Sequence, residues 1–505
     1  MIRKIIIIGS GVAGLSAGIY AQQQGFETII YERHTQTGGL CTGWERKGFH
    51  IDGCIHWMTG TKEGSDLRKI WDNVGALEYP DGSKVNVFLK DYFDVYEIDG
   101  KSVYLWRDIK KLEKGFLEIA PEDKRAVKSF IKNLKAIQKM IVPSKVPVNM
   151  MNLKELLVQL WSMRGMLKAL LLYGGVSCQS YARRFKSPQL RTLFRTCMPK
   201  NYSVAAFMFT LSTFTKGNGG IPEGGSLKMA QRMTDKYISL GGVVKTGMLV
   251  THITTENNRA ISIEGITKDG SEFSDTADYI ISAADAYQTR SILLHNRFTD
   301  KKFDKRYHNP KIYETQSCVM MFFGVDDPMT DYPYSLVFQT EPYRVGCSTY
   351  DDLSMATYFY EKSFAEPGKS IIHVLISQGD ADYEYWKSIH SNRTMYKAEK
   401  NRLTELVEER LVKRFPELKG KMTLLDCVTP VTFEEYCGSY HGAWMAFHIG
   451  KGTKNLMHTG KIPGLDNCYL TGQWLQPPGG LPVAVTMGKF TIQRICKKER
   501  MNWKF

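Results

Sequence analysis

Three glycines near the start of the chain have the spacing of a dinucleotide-binding turn. Gly9, Gly11 and Gly14 follow the apolar run 5–8, and Glu32 ends the next apolar run. In such a turn the first glycine permits a tight bend, the second lets a diphosphate approach the backbone, and the third lets helix and strand pack closely. The acidic residue can accept hydrogen bonds from both ribose hydroxyls, so we predict a dinucleotide site. The positions between the glycines are predicted contacts as well: Ser10, Val12 and Ala13.

The elements that must hold this turn are visible on both sides of it. The run 5–8 suits a parallel strand that is buried on both faces. Residues 15–20 continue as a helix, whose N-terminal amides and dipole attract a diphosphate, and residues 28–31 suit a second strand. A glycine turn that binds nothing is the alternative, but the strand, helix, second strand and acid at these distances favour a βαβ unit.

A second glycine pair narrows the identity of the dinucleotide. Arg33 follows the acid, and Gly38, Gly39 and Leu40 come soon after it. A Glu-Arg pair followed by paired glycines resembles the extended motif of the flavoprotein superfamily that contains amine oxidases and phytoene desaturases. The resemblance implies that these four residues contact the cofactor, and it favours FAD over NAD.

Size and composition limit the remaining possibilities. With 505 residues the chain exceeds the length at which one core keeps growing, so we expect two domains. The formal net charge of +15 allows nucleic acid, acidic substrates or an anionic membrane surface as partners. No nucleic-acid-binding motif accompanies the charge, so we expect no nucleic acid partner. The ten cysteines are scattered without zinc-like spacing, which predicts reduced thiols and no metal site.

Two basic amphipathic helices are predicted in the middle of the chain. Apolar residues recur at helical spacing over 126–141 and again over 153–171, with lysines and arginines between them. Trp161 and Tyr173 stand where aromatic anchors would lie. Such helices can lie flat in a membrane interface. The alternative is a pair of ordinary helices that pack their apolar stripes on a protein core.

Five blocks stand in the order that one flavoprotein family shows. The blocks are the Gly9 turn with Glu32, the pair 38–39, the segment 221–225, the strand-like run 277–285 and the loop at Gly472. Together they resemble the phytoene desaturase, carotenoid isomerase and retinol saturase family of FAD-dependent oxidoreductases across nearly the whole chain. The resemblance implies an α/β fold in which a Rossmann-type FAD-binding domain, like that of amine oxidases, is interleaved with an α+β substrate domain.

The division between these two domains is expected to be discontinuous. The FAD-binding domain is assigned the segments 1–85, 216–288 and 429–505. The substrate domain is assigned the segments 86–215, which holds the possibly membrane-facing helices, and 289–428. A tunnel through the substrate domain is expected to receive a long apolar substrate.

The resemblance also implies further site residues. His56 and Trp57 match positions that border the flavin, and His56 is a candidate proton donor or electrostatic tuner, although a structural histidine would look the same in sequence. Glu435, Tyr436 and His441 are candidates for the substrate mouth, with a solvated loop as the alternative. Further cofactor contacts are expected from the later blocks: Val250, Ala284, Gly472, Gln473, Leu481 and Val483.

The expected activity is a flavin-dependent redox reaction on a long polyene such as a carotenoid, a retinoid or an unsaturated lipid. Because the flavin takes or gives the hydride, desaturation, saturation and cis-trans isomerisation all stay open. A flavin amine oxidase and a non-catalytic flavin- or lipid-binding protein are the alternatives. The electron partner is open, since no second glycine motif follows a strand.

The expected location is the cytoplasm, on the inner face of a membrane. The first strand begins within a few residues of Met1, which leaves no room for a signal peptide, and no run of about 18 apolar residues offers a membrane span. The charge and the two amphipathic helices favour peripheral attachment to an anionic surface.

Overall fold

The computed structural model describes residues 2–454 and 457–504. Strands and helices are numbered in chain order. The strands are β1 (Lys4–Ile8), β2 (Glu27–Tyr31), β3 (Gly43–Arg46), β4 (Phe49–Asp52), β5 (Met58–Thr59), β6 (Val87–Phe88), β7 (Tyr92–Ile98), β8 (Lys101–Trp106), β9 (Gly219–Pro222), β10 (Val243–Lys245), β11 (Met248–Glu256), β12 (Arg259–Thr267), β13 (Glu272–Thr276), β14 (Tyr279–Ser282), β15 (Thr315–Val325), β16 (Ser335–Val345), β17 (Ser348–Thr357), β18 (Ser370–Gln378), β19 (Met422–Val428), β20 (Met445–Phe447) and β21 (Cys468–Leu470).

The α-helices range from single turns to six turns. They are α1 (Val12–Gln24), α2 (Asp66–Asn73), α3 (Ile109–Ile119), α4 (Lys124–Ile137), α5 (Leu153–Tyr173), α6 (Cys178–Ala182), α7 (Pro188–Thr196), α8 (Val204–Thr215), α9 (Gly225–Ser239), α10 (Ala286–Gln288), α11 (Lys301–Tyr307), α12 (Asp380–His390), α13 (Arg393–Arg414), α14 (Pro430–Cys437) and α15 (Leu481–Lys498).

A five-stranded parallel sheet carries the glycine turn. Its order is β10-β2-β1-β14-β21, so strands from three distant parts of the chain meet in one layer. Ile5 and Ile7 pack into a core with α1, α9 and α15, while Ile6 and Ile8 pack on the other face with β11 and β12. Successive side chains point to opposite faces, and both faces are covered, which explains the uninterrupted apolar run. The predicted α/β fold with a Rossmann-type unit is confirmed.

An eight-stranded sheet forms a second layer. Its path is β19-β15-β18-β17-β16-β7-β8, with β20 paired to β15. The β7–β8 hairpin turns at Asp99 and Gly100, both at positive φ, as the Asp-Gly pair predicts. All strands of the five-stranded sheet lie in the segments assigned to FAD binding, but β20 joins the other sheet. The domain boundaries therefore stay a prediction.

Helices α3 to α8 form a helical layer with its own aromatic core around Phe130. Helix α4 buries its apolar stripe there, which agrees with the alternative of an ordinary helix packed on a protein core. Its buried side chains are Val127, Phe130, Ile131, Leu134 and Ile137.

Helix α5 behaves differently from its neighbour. Gly165 brings it close to α4, since a Cβ there would stand 2.3 Å from the Ala136 carbonyl oxygen. Its outer side leaves large apolar side chains in solvent, namely Leu153, Leu157, Val158, Leu160, Trp161, Leu167, Leu170, Leu171 and Leu172. Among the described residues, no helix combines the length and apolarity needed to cross a membrane.

Candidate active site: one cavity from the glycine turn to helix α5

The glycine turn between β1 and α1 is fixed by steric limits on its backbone. Gly9 has a φ of +96°, and a Cβ on Gly14 would lie 2.0 Å from the Gly9 carbonyl oxygen. Gly11 is different, because the nearest atom to a Cβ there is the Gly38 carbonyl oxygen, 3.9 Å away. Space is therefore left open at Gly11, beside the N-terminus of α1, where a diphosphate is favoured.

Glu32 is held as a hydrogen-bond acceptor at the end of β2. One carboxylate oxygen accepts from the Ser10 amide at 2.8 Å and from the Ser10 hydroxyl at 2.7 Å, and the other accepts from the His34 amide at 2.9 Å. The carboxylate is buried but lines the cavity. It therefore keeps the orientation and spare lone pairs that ribose hydroxyls require.

The second glycine pair lies directly against the first turn. The Gly38 amide donates to the Ser10 carbonyl at 3.0 Å, and a Cβ on Gly39 would come within 3.2 Å of the Gly11 Cα atom. Both have positive φ, +116° and +60°. The two motifs thus close one backbone cradle, although helix α1 and strand β2 separate them along the chain.

The last part of the chain completes this cradle. Gly472, at a φ of +122°, follows β21, and its nearest neighbour for a Cβ is Ala13 at 3.8 Å. The Gln473 side-chain oxygen accepts from the Gly480 amide at 3.0 Å, just before α15 begins. Helix α15 packs on α1, where the Ser16 hydroxyl donates to the Val485 carbonyl at 2.7 Å.

These parts surround one end of a cavity of about 2020 Å³, and we call that end the dinucleotide end. Ser10 and Gly14 do not line the cavity themselves. Ser10 orients Glu32 by hydrogen bonds, and Gly14 packs against Gly9. The other predicted cofactor contacts all line the cavity: Gly9, Gly11, Val12, Ala13, Glu32, Arg33, Gly38, Gly39, Leu40, Val250, Ala284, Gly472, Gln473, Leu481 and Val483. The glycine cradle and the oriented acid fit a dinucleotide, and their individual contacts stay predictions.

Arg33 reaches across the cavity wall to the last turn of α14. Its guanidinium donates to the carbonyl oxygens of Glu435 and Tyr436. The neighbouring His34 ring stacks on the Tyr436 ring, with 4.2 Å between ring centres. Arg33 thereby fixes the position of Tyr436, which lines the cavity.

The two other candidates for a substrate mouth lie away from the cavity. Glu435 pairs with His390 at 3.4 Å, and His441 pairs with Asp380 at 3.0 Å. Both sit beside α12, so these side chains hold local structure rather than the mouth. Both residues are close to Tyr436 in sequence but not in the cavity wall. Glu435 lies on another side of α14, and the backbone turns at His441, which has a φ of +52°.

Beyond the dinucleotide end, the cavity passes between rings, and we call this part the aromatic section. It is lined by His56, Trp57, Tyr360, His373 and Trp444. The His56 ring stacks on His373 at 5.0 Å and stands 5.4 Å from Trp444. Burial lowers the pKa of His56 to about 3, so the ring is neutral at neutral pH and offers a hydrogen bond rather than a charge.

Sequence reasoning missed two of the charged groups that line the aromatic section. Lys90 lies in the loop between β6 and β7, Asp94 lies on β7, and His373 lies on β18. Burial lowers the pKa of Lys90 and raises that of Asp94. The only sequence signal of these groups was the single lysine at position 90 in a run of apolar and aromatic residues, and such a pattern does not show whether the lysine faces a cavity.

The far part of the cavity opens beside α5, and we call this opening the α5 mouth. It is lined by Met140, Val142, Met163, Met166 and Leu170. Leu170 also belongs to the exposed apolar side of α5. An apolar path therefore leads from the surface of α5 to the aromatic section.

Comparisons with known proteins agree with this arrangement. Residues 12–496 match the family described as flavin containing amine oxidoreductase. A 4,4'-diaponeurosporene oxygenase from Staphylococcus haemolyticus is 23% identical over 525 residues, with 98% of this chain and 97% of that protein covered. An all-trans-retinol 13,14-reductase from Danio rerio is 22% identical over 534 residues, with 97% of this chain and 86% of that protein covered.

The solved structures show the same fold. Cyclohexylamine oxidase from Brevibacterium oxydans superposes with a TM-score of 0.58 at 13% identity, and the match covers 99% of this chain and all of that one. At this identity the likeness concerns the fold alone.

Proposed function

We propose, from the premise that this chain belongs to the family of flavin-containing amine oxidoreductases, that it is an FAD-dependent redox enzyme acting on a long apolar polyene. Membership makes the protein a flavin-dependent oxidoreductase. The two relatives are named for 4,4'-diaponeurosporene and all-trans-retinol, which are both conjugated polyenes. They support the substrate class, which the sequence resemblance also implied.

FAD is the flavin that the dinucleotide end supports best. The adenosine half of FAD brings ribose hydroxyls and a diphosphate, for which Glu32 and the open space at Gly11 are suited. Val250 lines the same end and is placed to contact the adenine through its backbone. A mononucleotide would leave these groups without a partner.

The observation that carries the proposal is the single cavity that joins the glycine turn to the α5 mouth. Its volume of about 2020 Å³ exceeds the roughly 300–1,000 Å³ of ordinary small-molecule sites, so cofactor and a second long molecule can both occupy it. Rings line its middle and methionines line its mouth, which suits a flat apolar chain.

The flavin supplies hydride transfer when it is bound. The chain has to hold the polyene flat, exclude water and hold polar groups beside it, and it offers Trp57, Trp444 and the neutral ring of His56 for these tasks. The two relatives are an oxygenase and a reductase, which work in opposite redox directions. The direction of reaction therefore depends on the electron partner.

An amine oxidase activity is less well supported by the cavity. The α5 mouth is apolar, whereas a cationic amine favours a hydrophilic entrance.

Anaerobic flavin spectroscopy tests the proposed function. The protein is loaded with FAD under anaerobic conditions, and a carotenoid or retinoid is added in detergent. Reduction of the oxidised flavin, reoxidation of photoreduced flavin, or a new geometrical isomer seen by chromatography would each support the proposal. Reduction by cyclohexylamine without any response to polyenes would establish the amine oxidase instead. A flavin that responds to neither would indicate a non-catalytic binding protein.

The exposed side of α5 is the proposed membrane-binding surface, on the cytoplasmic face. Trp161 is 69% exposed and Leu171 is 88% exposed, and the Arg164 guanidinium lies 4.4 Å over the Trp161 ring. An apolar helix face flanked by cations binds anionic interfaces. Because Leu170 belongs both to this face and to the α5 mouth, a substrate could pass from lipid to cavity without crossing water.

Liposome flotation tests this surface. The triple variant Trp161→Ser, Leu167→Gln, Leu170→Gln is expected to lose binding to anionic vesicles. A matched control removes three exposed apolar side chains elsewhere, Ile238→Ser, Ile266→Gln and Met395→Gln, and should bind as the wild type does. Equal binding of both variants would reject α5 as the attachment site.

A further inference from the structure

Lys90 is a buried cation on the wall of the aromatic section. It follows β6, is 8% exposed and lines the cavity. Its Nζ atom lies 5.7 Å from the centre of the Tyr334 ring. Within the described part of the chain no group accepts a hydrogen bond from it, so its three donors are directed at the ring face and the cavity.

Two histidines beside it also have unused hydrogen-bonding capacity. The rings of His56 and His373 are stacked at 19°, and the Nε2 atom of each is buried with no hydrogen-bond partner among the described residues. Both line the cavity, and His373 is only 2% exposed. Burial lowers the pKa of both histidines, so neutral rings line the cavity together with Lys90.

Asp94 supplies the opposite charge from the next strand. Its carboxylate lines the same section and accepts a hydrogen bond from the Ser335 hydroxyl. The Asp94 charge raises the pKa of Lys90 against the effect of burial. The net effect is still a lowered pKa for Lys90, and the side-chain hydrogen bond of Asp94 is made with Ser335 rather than with Lys90.

Buried polar groups without partners destabilise a protein interior, because they lose their hydrogen bonds to water and gain none in return. Two such atoms, the Nε2 atoms of His56 and His373, line the same cavity as the Lys90 side chain, and this indicates a polar atom that arrives with the ligand. A pure hydrocarbon polyene has no atom that could accept a hydrogen bond from Lys90. The aromatic walls would then match the hydrocarbon chain, but the polar groups at Lys90, His56 and His373 would have no partner.

We propose that Lys90, assisted by His56 and His373, binds a carbonyl or carboxylate oxygen of the polyene, so that the preferred substrates are oxygenated polyenes rather than hydrocarbons. This inference rests on the proposed function and defines its substrate class. Fixing one oxygen at Lys90 sets which carbons of the chain lie beside His56 and Trp57. Lys90 is thus a specificity-determining residue.

The test compares three probes of one carbon skeleton: axerophthene as the hydrocarbon, retinal as the aldehyde and retinoic acid as the carboxylate. Binding to the FAD-loaded protein is measured by quenching of tryptophan fluorescence. We expect the two oxygenated probes to bind roughly 10- to 100-fold more tightly than the hydrocarbon, as a hydrogen bond to a charged group implies. Lys90→Met should reduce the affinity for retinal and for retinoic acid to that for the hydrocarbon, whose affinity should not change.

Two further variants separate charge, hydrogen bonding and folding. Lys90→Gln keeps a donor without charge, and should retain more affinity for retinal than for retinoic acid. Lys101→Met removes an exposed lysine from the adjoining strand β8 and should change nothing. Flavin content and the melting temperature report whether each variant is folded.

Several results would overturn the inference. Equal affinity of the wild type for all three probes, or unchanged selectivity in folded Lys90→Met, would show that Lys90 does not recognise the substrate. An altered flavin spectrum in Lys90→Met with unchanged probe binding would assign Lys90 to the cofactor. If the hydrocarbon binds and exchanges electrons without discrimination, only this inference fails, whereas absence of binding by every probe would also remove the proposed function.

Discussion

The two ends of the cavity are built from different materials. The dinucleotide end consists mainly of backbone, and glycines such as Gly14 and Gly38 leave no room there for a side chain, since a Cβ would stand 2.0 Å and 2.3 Å from a carbonyl oxygen. The aromatic section and the α5 mouth consist of side chains, contributed by segments as distant as His56 and Trp444. One end therefore recognises a fixed diphosphate-bearing molecule, while the other can change its specificity by exchanging side chains.

This difference has a consequence for substitutions. A Cβ added at Gly14 or Gly38 collides with main-chain atoms, which cannot move away without disturbing the sheet. A side chain changed in the aromatic section or the mouth alters contacts with the substrate while the cofactor end stays intact. Cofactor binding and substrate selectivity should therefore respond to separate sets of mutations.

The largest effect is expected for Gly14→Ala. The new Cβ would stand 2.0 Å from the Gly9 carbonyl oxygen and 3.2 Å from the Ala283 Cβ, so the turn must open. We expect the free energy of unfolding to fall by about 3 kcal/mol, at the upper end of the range for overpacking, and flavin to be lost on purification. Denaturant titration measures the first effect and absorbance measures the second.

The control for this variant is Gly175→Ala, where a Cβ would meet no atom within 4 Å. It should fold and retain flavin. A Gly14→Ala protein that keeps full stability and its flavin would contradict the view that the backbone turn at Gly14 has no room for a side chain.

A smaller effect is expected at Gly11, where the free space faces the ligand. Gly11→Ala introduces no clash, because the nearest atom is 3.9 Å away, so the protein without cofactor should keep its stability within about 0.5 kcal/mol. Its FAD affinity should fall roughly tenfold or more, which corresponds to about 1.4 kcal/mol. Titration of the apoprotein with FAD measures this change. Unchanged affinity would place the diphosphate elsewhere.

The same difference explains what the sequence could predict. Gly9, Gly14 and Glu32 are close in sequence, and their roles depend on local backbone geometry, so their spacing alone was informative. Lys90 lies in the loop before β7 and His373 lies on β18, and these segments are far apart along the chain but line the same cavity. No local pattern links them, and their common cavity could not be predicted.

Helices α4 and α5 show a second limit of sequence patterns. Both carry apolar stripes at helical spacing, yet α4 is buried between α3, α5 and α8 while the outer side of α5 is exposed. Periodicity shows that a helix has an apolar side but not what covers it. Gly165 was the one local signal of close packing between the two helices.

The α5 mouth offers a test in which the cofactor should be unaffected. The double variant Met163→Gln, Met166→Gln keeps side-chain length but makes the apolar entrance polar. We expect the rate of electron exchange with a polyene to fall roughly tenfold, since each apolar contact replaced costs a fraction of the 1.5–3 kcal/mol of a buried apolar side chain. Flavin content should not change.

Reduction of the bound flavin by dithionite provides the control, since this small reductant does not need the apolar path. If dithionite reduction slowed as much as exchange with the polyene, the two ends of the cavity would not be independent. A normal polyene rate would place the substrate entrance elsewhere.

The smallest expected effect concerns acid stability of the aromatic section. The pKa of His56 is lowered from 6.5 to about 3 by burial, so below pH 6.5 the unfolded chain binds a proton that the folded protein does not. The fold therefore loses stability as pH falls from 6.5 towards 3, by about 1 kcal/mol between pH 6.5 and 5.5 for one such histidine. His56→Gln should remove this part of the loss, measured by denaturant titration at the two pH values.

Some buried carboxyl groups change the pH dependence of stability in the opposite direction to His56. Their contribution is the same in wild type and variant, so it cancels when the two profiles are compared. Burial raises the pKa of Asp285 to about 6, so this carboxyl favours the folded state as pH falls through that value, in wild type and variant alike. The exposed His308→Gln serves as the control and should leave the pH dependence unchanged. Because His373 shares the lowered pKa, the double variant with His373→Gln should flatten the profile further. A pH profile identical in wild type and His56→Gln would mean that His56 is solvated, and the aromatic section would then be a wet channel rather than a dry one.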